Sequence, residues 1–507
     1  MSSEHHFDAV IIGSGLGGLV CANILSKEGM KVCVLEKNEQ IGGCLQSFKR
    51  EGITFDSAVH YVCGLDKGQT LYQLFQYLGI MERLELERMD SNGFDTVLFD
   101  NDVILYAYGM GYENFIAQML SHFPDEEKAI STYCSDIKKI CSDHSLFHIN
   151  MENIYSNDSP FHQSAKEYFE KLTTNIKLRA VLAGTNLLYA GVSSKTPLFV
   201  HALVVNHYIE SAWKCVQGSD QIAKLLAKNI KADGGTILRK QEVISINVED
   251  GEVKSVTTKN GEQFFAKHVI SNITPDKTLE LSNAEAFRPA FRNRIKSLEN
   301  SAATFMVYLV LKPDTIKYTN RNYYYFDDTE VWDCMNYTEE SWPCTYALFQ
   351  SIPKNKSEYT ESVAIMSYMR FEEVAKWQNT YNTSLNETIR GEDYEAFKKS
   401  KAEQLLKTVY KKFPELKDVI VSIHTSTPLS YRDYLGNSDG SMYGVIKDFH
   451  DPVKTFISPK TKVKNLYLTG ANINLHGVLG VTETAFITSF FILDRDYLMN
   501  KVLQANA

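Results

Sequence analysis

Several familiar signatures are missing from this chain. Its nine cysteines form an odd set with no Cys-x-x-Cys pair. That argues against a disulfide framework and a zinc site, and leaves free thiols in a reducing compartment as the expectation. Acidic residues outnumber basic ones, for a net charge of −9, which argues against a nucleic-acid partner. No run of about 18 apolar residues occurs, so no membrane-spanning helix is expected. No basic and apolar leader precedes the first strand-like run at Phe7, so no cleavable signal is expected and the protein reads as cytoplasmic. Internal repeats, low-complexity tracts, metal-ligand clusters, a Ser/His/Asp order signature and a phosphate-binding lysine loop are absent too. What is present is a chain of 507 residues, 44% hydrophobic, ample for a large core and more than one domain.

Chemistry concentrates between Phe7 and Gly64. The run Phe7-Asp8-Ala9-Val10-Ile11-Ile12 leads into Gly13-Ser14-Gly15-Leu16-Gly17-Gly18 and an apolar-periodic segment to Glu28. A second β run, Lys31-Val32-Cys33-Val34-Leu35, ends at Glu36. Strand, glycine turn, helix and strand make a βαβ unit that binds a dinucleotide. Gly13 allows the tight turn. Gly15 lets the backbone approach a pyrophosphate on the positive helix N-terminus, and Gly18 lets the helix pack closely on the strand. Glu36 follows Gly18 by 18 residues, near the spacing of about 20 at which a carboxylate meets a ribose hydroxyl. A carboxylate there repels a 2′-phosphate, so the site reads as one for FAD or NAD and not NADP.

Directly after Lys37 the chain continues to Ile41-Gly42-Gly43-Cys44-Leu45-Gln46-Ser47-Phe48, then Gly52, Phe55-Asp56 and Val59-His60. Near the C-terminus, Asn465-Leu466-Tyr467-Leu468-Thr469-Gly470 runs through Ala471-Asn472 to His476-Gly477-Val478-Leu479-Gly480. In these motifs the chain resembles the FAD-dependent carotenoid desaturase, carotenoid isomerase and retinol saturase family, within the glutathione-reductase-like and amine-oxidase-like flavoproteins. The stretch from His201 to Tyr208, followed by Gly218-Ser219-Asp220-Gln221, looks more like the retinol saturases.

The resemblance implies an α/β fold, a Rossmann-like FAD-binding domain with an interleaved α+β substrate domain. It implies FAD over NAD, because NAD dehydrogenases lack the second glycine motif. It places Gly13, Gly15, Leu16, Gly17, Gly18, Glu36, Lys37, Gly42, Gly43, Cys44, Ser47 and His60 along the FAD. Val243 falls at the adenine end, and Gly470, Asn472, Gly477, Val478 and Leu479 fall beneath the flavin, where a helix N-terminus faces the pyrimidine. Asn472 departs from the acidic residue usual at its position, and Gln217 stands where a second glycine is common. An amide still hydrogen-bonds a ribityl hydroxyl, so the expectation is an altered contact.

The FAD domain is expected over 1–64, 211–284 and 455–507, and the substrate domain over 65–210 and 285–454. Leu65 to Val205 reads as largely helical. Ile222 to Lys231 reads as a helix, followed by strands at Thr236, Val243 to Val248, Val253 to Thr257 and Phe265 to Asn272. Further β runs, Ala303 to Leu311 and Val363 to Met369, flank Tyr323-Tyr324-Tyr325-Phe326, which reads as a packed sheet face rather than a ligand wall. Helical spacing returns from Tyr394 to Phe413. Thr427-Pro428 through Tyr443-Gly444 reads as a glycine-punctuated loop. One final helix is expected from Val481 to about Met499.

The resemblance further implies chemistry on one carbon–carbon double bond of a long apolar polyene, by saturation, desaturation or cis–trans isomerisation with hydride transfer at flavin N5. Saturation needs a proton donor. The candidates are His60, His207 and His476, with Tyr431 behind them, each having a plain packing role as its alternative. With one dinucleotide fingerprint visible, the electron donor or acceptor is expected to be another protein, a quinone or a transient nicotinamide. Peripheral membrane contact is expected through Val181 to Val205 or Phe486 to Leu498, with core packing the alternative for both. Rival readings are an amine-oxidase-like enzyme, a flavin-bearing carrier, and a Rab-escort or GDP-dissociation-inhibitor-like lipid-binding protein without FAD.

Overall fold

The computed structural model describes residues 4–144, 146, 159–386 and 388–507. The strand β1 (Glu4–Ile12), the helix α1 (Leu16–Lys27) and the strand β2 (Val32–Glu36) form the expected βαβ unit. All five residues of β2 are buried, as a parallel strand covered on both faces requires. Its sheet runs Thr236–Arg239, β2, β1, Gln263–Ser271, Glu252–Thr258, Val243–Glu249, and Leu466–Leu468 adds to the free side of Gln263–Ser271. The pairs among β1, β2, Thr236–Arg239, Gln263–Ser271 and Leu466–Leu468 are parallel. The two remaining pairs are an antiparallel meander.

α1 is apolar on all sides, and Leu16 through Ser26 are buried without interruption. A helix of that composition belongs inside, and α1 lies between the sheet and the helix Gly477–Ser489 in one continuous cluster. The approach of α1 to β1 is close enough that a Cβ on Gly18 would stand 2.2 Å from the Gly13 carbonyl oxygen.

A second, seven-stranded sheet runs Ile420–Ser426, Thr304–Leu311, Ser362–Tyr368, Thr345–Gln350, Asn322–Phe326, Asp95–Phe99, Tyr106–Tyr108. It is antiparallel except where Asn322–Phe326 pairs with Asp95–Phe99. Side chains alternate across a strand, and the aromatic run divides accordingly. Tyr324 and Phe326 face the cluster shared with the helical region, while Tyr323 and Tyr325 face the opposite one.

Three expectations change. The stretch from Leu65 to Val205 is not simply helical, since it supplies Leu86–Arg88, Asp95–Phe99 and Tyr106–Tyr108. Asp95–Phe99 is buried on both faces, and so short an apolar run has no periodicity to separate strand from helix. The last helix is two: Gly477–Ser489 ends near Phe490, and Asp494 caps Arg495–Ala505 by accepting from the Tyr497 N–H. The supposed loop after Thr427 begins as a helix, Pro428–Leu435, with a Thr427/Ser430 capping box and a left-handed Gly436 at its end. Gln217 is itself left-handed at φ +64°, a conformation in which glycine is the usual residue.

Among the described residues no helix is long and apolar enough to cross a membrane. Of the two segments named for membrane contact, Val181 to Val205 packs largely inward, with Val181, Leu187, Leu198, Phe199 and Val205 buried, whereas Phe486 to Leu498 buries Phe486 and Leu498 but exposes Phe491 and Tyr497.

The α1–β1 contact yields the first prediction. Gly18→Ala forces a methyl into a backbone carbonyl, so it lowers the unfolding free energy by about 1–3 kcal/mol or more. A fall in the denaturation midpoint at unchanged m-value checks it; an unchanged midpoint contradicts the close packing.

Candidate active site

One large cavity opens at the carboxyl ends of the parallel strands, where open α/β sheets bind ligands. Ile12 to Gly17, Leu35 to Asn38, Asn272 and Thr469 to Asn472 line it from the first sheet, and Tyr324, Phe349 and Met366 from the second. Glu36 is buried beneath the glycine turn. Its carboxylate accepts from the Ser14 N–H (3.0 Å) and hydroxyl (2.5 Å) and from the Asn38 N–H (2.8 Å). Two glycine turns meet above it: the Gly42 N–H donates to the Ser14 carbonyl at 3.0 Å, and a Cβ on Gly43 would stand 3.1 Å from the Gly15 Cα.

These residues fit FAD. Gly15 and His476 are the N-caps of α1 and Gly477–Ser489, and neither end carries a side-chain cap. Both helix starts lie on the cavity wall, so their unpaired N–H groups and positive dipole ends are available to anionic groups. The buried His60 Nε2 has no partner among the described residues, and His60 also lines the cavity. Asn272, which sequence reasoning missed, sits where the glycine segments converge. A Cβ on Gly15, Gly17 or Gly470 would come within 2.8 Å of its side-chain amide. Its only signal in the sequence is its position just past a strand end.

Most of the residues assigned to FAD line this cavity, namely Gly13, Gly15, Leu16, Gly17, Glu36, Lys37, Gly42, Gly43, Cys44, His60, Val243, Gly470, Asn472, Gly477 and Val478. Gly18, Ser47 and Leu479 lie outside the wall. Gly18 faces β1, the Ser47 hydroxyl donates to Asp56 at 2.9 Å, and Leu479 joins the core around α1. The Lys37 amine turns to the Asp433 carbonyl (3.1 Å) and the Tyr381 hydroxyl (3.3 Å). Burial pushes the Cys44 thiol up to about 11, which keeps it protonated and unreactive at neutral pH.

The other end of the cavity is aromatic. His60 stacks on Phe349 at 4.3 Å, Tyr61 packs on Tyr208 at 4.5 Å, and Tyr443 meets His476 edge-on at 4.9 Å. The proposed proton donors fare differently here. Burial, helped by the Lys214 charge, pushes His60 down to about 3. Burial pushes His476 down to about 4, and its Nε2 sits 2.9 Å from the Leu188 carbonyl, so the one proton of the neutral ring is spent on that bond. His207 and Tyr431 are not on the wall: His207 is a buried imidazole beside the Asn206 amide (3.2 Å), and Tyr431 donates to the Ser57 carbonyl at 3.0 Å. Burial pushes His207 down to about 4 as well, so burial disfavours the charged form of all three histidines.

The profile of the family described as flavin containing amine oxidoreductase matches residues 16–488. The chain belongs to this family. Among curated proteins, all-trans-retinol 13,14-reductase of Rattus norvegicus is 27% identical over 96% of this chain and 86% of its own. The chloroplastic prolycopene isomerase of Daucus carota is 26% identical over 88% of this chain and 72% of its own. An inactive all-trans-retinol 13,14-reductase of Danio rerio is 25% identical over 98% of this chain and 88% of its own. Among solved structures, an oxidoreductase from Methanosarcina mazei superposes with a TM-score of 0.64 at 15% identity, covering 95% of this chain and 99% of that one. Putrescine oxidase bound to putrescine gives 0.64 at 11% identity, covering 98% and 100%. At those identities the structures speak to the fold alone. The protein is an FAD-dependent oxidoreductase, and its relatives agree with the carotenoid and retinol saturase resemblance read from its motifs. A binding protein without FAD is thereby set aside.

Glu36 supplies the next prediction. Glu36→Ala removes a charged acceptor worth about 1.5–3 kcal/mol, so FAD affinity falls roughly 10- to 150-fold. Titrating apoprotein with FAD, followed by flavin fluorescence, checks it. The wild-type protein should show flavin bands that unfolding releases into solution, as a non-covalent cofactor does.

Proposed function

We propose that the protein acts on one carbon–carbon double bond of a long apolar polyene of the retinoid, carotenoid or related isoprenoid type. The observation that carries this is the composition of the cavity's aromatic end. Leu188, Tyr208, Tyr324, Phe349, Met366 and Tyr443 wall it, and the carboxylates on the wall, Glu36 and Glu242, belong to the nucleotide end, where the Gln241 N–H donates to the Glu36 carbonyl at 2.8 Å. An ammonium substrate has no anionic partner there, and burying an unpaired charge costs several kcal/mol. A polyene needs none, which favours it over the amine-oxidase reading.

Bound FAD supplies hydride chemistry at its N5. The chain's part is to hold the polyene against the ring, exclude water and manage the proton. Reductive saturation is favoured over desaturation and isomerisation, because the relatives named for a reduction match 96% of the chain. Electrons would come from another protein, a quinone or a transiently bound nicotinamide. Peripheral membrane contact is also proposed, and the exposed residues suited to it are Val103, Ile104, Leu105 and Ile176. The Lys177–Asp102 ion pair at 3.3 Å brings the two segments together.

The test is anaerobic mixing of the holoenzyme with a panel of retinoids, carotenoids and polyunsaturated lipids, and in parallel with alkyl amines. Chemically reduced flavin should be reoxidised by at least one polyene, or oxidised flavin reduced by its saturated form, while amines leave the spectrum unchanged. Reaction with amines alone would overturn the proposal.

A further inference from the structure

The cavity wall holds a chain of hydroxyls that ends on a buried acid. Tyr61 and Tyr324 both line the cavity, and their hydroxyl oxygens are 2.5 Å apart. Behind them the Tyr61 hydroxyl bonds Asp95 Oδ2 at 2.8 Å, and the Asn322 amide donates to Asp95 Oδ1 at 2.9 Å. Asp95 and Asn322 are 0% exposed and stand side by side on the parallel pair of the second sheet. We propose that Tyr324, Tyr61 and Asp95 are the proton-delivery chain of this cavity, with the Tyr324 hydroxyl meeting the substrate carbon and Asp95 resupplying it through Tyr61. This rests on the double-bond chemistry proposed above.

The carboxyl is suited to the task. Burial raises it from 3.8 to about 7, against the hydrogen bonds from Tyr61 and Asn322 and the charge of Lys214. The other titratable groups facing it are Tyr108, Tyr208 and Tyr324, phenols whose ionisation is pushed far above neutral pH by burial. Lys214, buried and donating to the Gln350 carbonyl at 3.1 Å, is pushed down to about 8. Asp95 and Lys214 are therefore the groups of this cluster that exchange protons nearest neutral pH, and Asp95 is the one hydrogen-bonded to the tyrosine hydroxyls. Among the described residues, the other groups with such values, Glu483 and Lys447, do not line the cavity, and the Lys447 amine is bound to the Thr455 and Ile473 carbonyls.

The protonation state of Asp95 sets the direction of the chain. When it is ionised, Tyr61 donates to it and Tyr324 donates to Tyr61. When it is protonated, it donates to Tyr61, Tyr61 donates to Tyr324, and the Tyr324 hydrogen is turned toward the cavity. In the reductive direction, one C–H bond would form with the hydride that bound, two-electron-reduced FAD would supply. The Tyr324 O–H breaks as the second C–H bond forms. The Tyr324 oxygen takes the Tyr61 proton, Tyr61 takes that of Asp95, and a carboxylate remains near the Lys214 charge until solvent returns the proton. Oxidation runs the same transfers backward.

Two measurements on the purified holoenzyme test this. In infrared titration, the C=O stretch of a protonated carboxyl should fade with a midpoint near pH 7, be absent in Asp95→Asn, and shift in Tyr61→Phe; Glu483→Gln identifies the separate band of that residue. If Asp95→Asn removes no such band, the chain is overturned, whatever the substrate. In turnover with the responsive polyene, Tyr324→Phe and Asp95→Asn that retain flavin and melting temperature should slow about 100-fold. They should also lose the fall in rate that the wild type shows as pH rises through about 7. Wild-type rates and pH profiles in both variants overturn the chain. A wild type inert to every polyene overturns the function proposed above, and the infrared result then decides the Asp95 titration alone.

Discussion

The close backbone approach at the ends of β1 and β2 is the constraint on which the rest depends. Gly18 lies against the Gly13 carbonyl at a distance no side chain allows, and Gly43 lies tightly against the Gly15 Cα. Because these segments touch, the start of α1, the Glu36 carboxylate and the second glycine turn share one small volume. Glu36 is held by the Ser14 and Asn38 N–H groups, so the carboxylate expected at a ribose hydroxyl is positioned by the same turn that opens the N-terminus of α1 to the cavity. Hydrogen bonds to a charged group are worth about 1.5–3 kcal/mol each, enough to hold the turn in its binding shape before any ligand arrives.

The second constraint is dryness at the far end. The imidazoles there are driven neutral by burial, His60 to about 3 and His476 to about 4. A neutral histidine in that setting braces a ring or a carbonyl, and burial that keeps water out disfavours its charged form. A neutral acid tolerates such a place better, since a protonated carboxyl and a phenol carry no charge to desolvate.

Much of this was legible from residue order, for a physical reason. Gly13 to Gly18, Glu36, Gly42-Gly43 and Gly470 to Gly477 act through backbone geometry, and backbone geometry at a strand end is written in local sequence. The aromatic end was not legible, because its residues meet only through long-range pairing. Asp95 lies 227 positions from Asn322 and Tyr61 lies 263 from Tyr324. The strand that carries Asp95 is short and buried on both faces, so no period marks it. Tyr324 was hidden for the opposite reason: four consecutive aromatics look like packing, and three of them do pack. Two-residue alternation turns Tyr324 toward the cavity side while Tyr325 stacks on Tyr346 at 4.6 Å.

Two buried aspartates show how differently this fold treats the same side chain. Asp433, 0% exposed, is met by the guanidinium groups of Arg390 and Arg432 and by the Asn382 N–H. It anchors the last turn of the helix Pro428–Leu435, which carries Tyr434 to Gly436 along the cavity. Asp95 is buried as deeply, yet its direct donors are a phenol and an amide, and its nearest cation, Lys214, is bound to a carbonyl. The folded state holds the Asp95 proton up to about 7, whereas the unfolded chain releases it near 3.8. The folded state therefore binds more protons than the unfolded one across that window, and Asp95 costs stability as pH rises through it. A purely structural acid gains from the arrangement around Asp433. The arrangement around Asp95 sacrifices stability and keeps a movable proton one tyrosine away from the cavity, the trade expected where a proton is part of the chemistry.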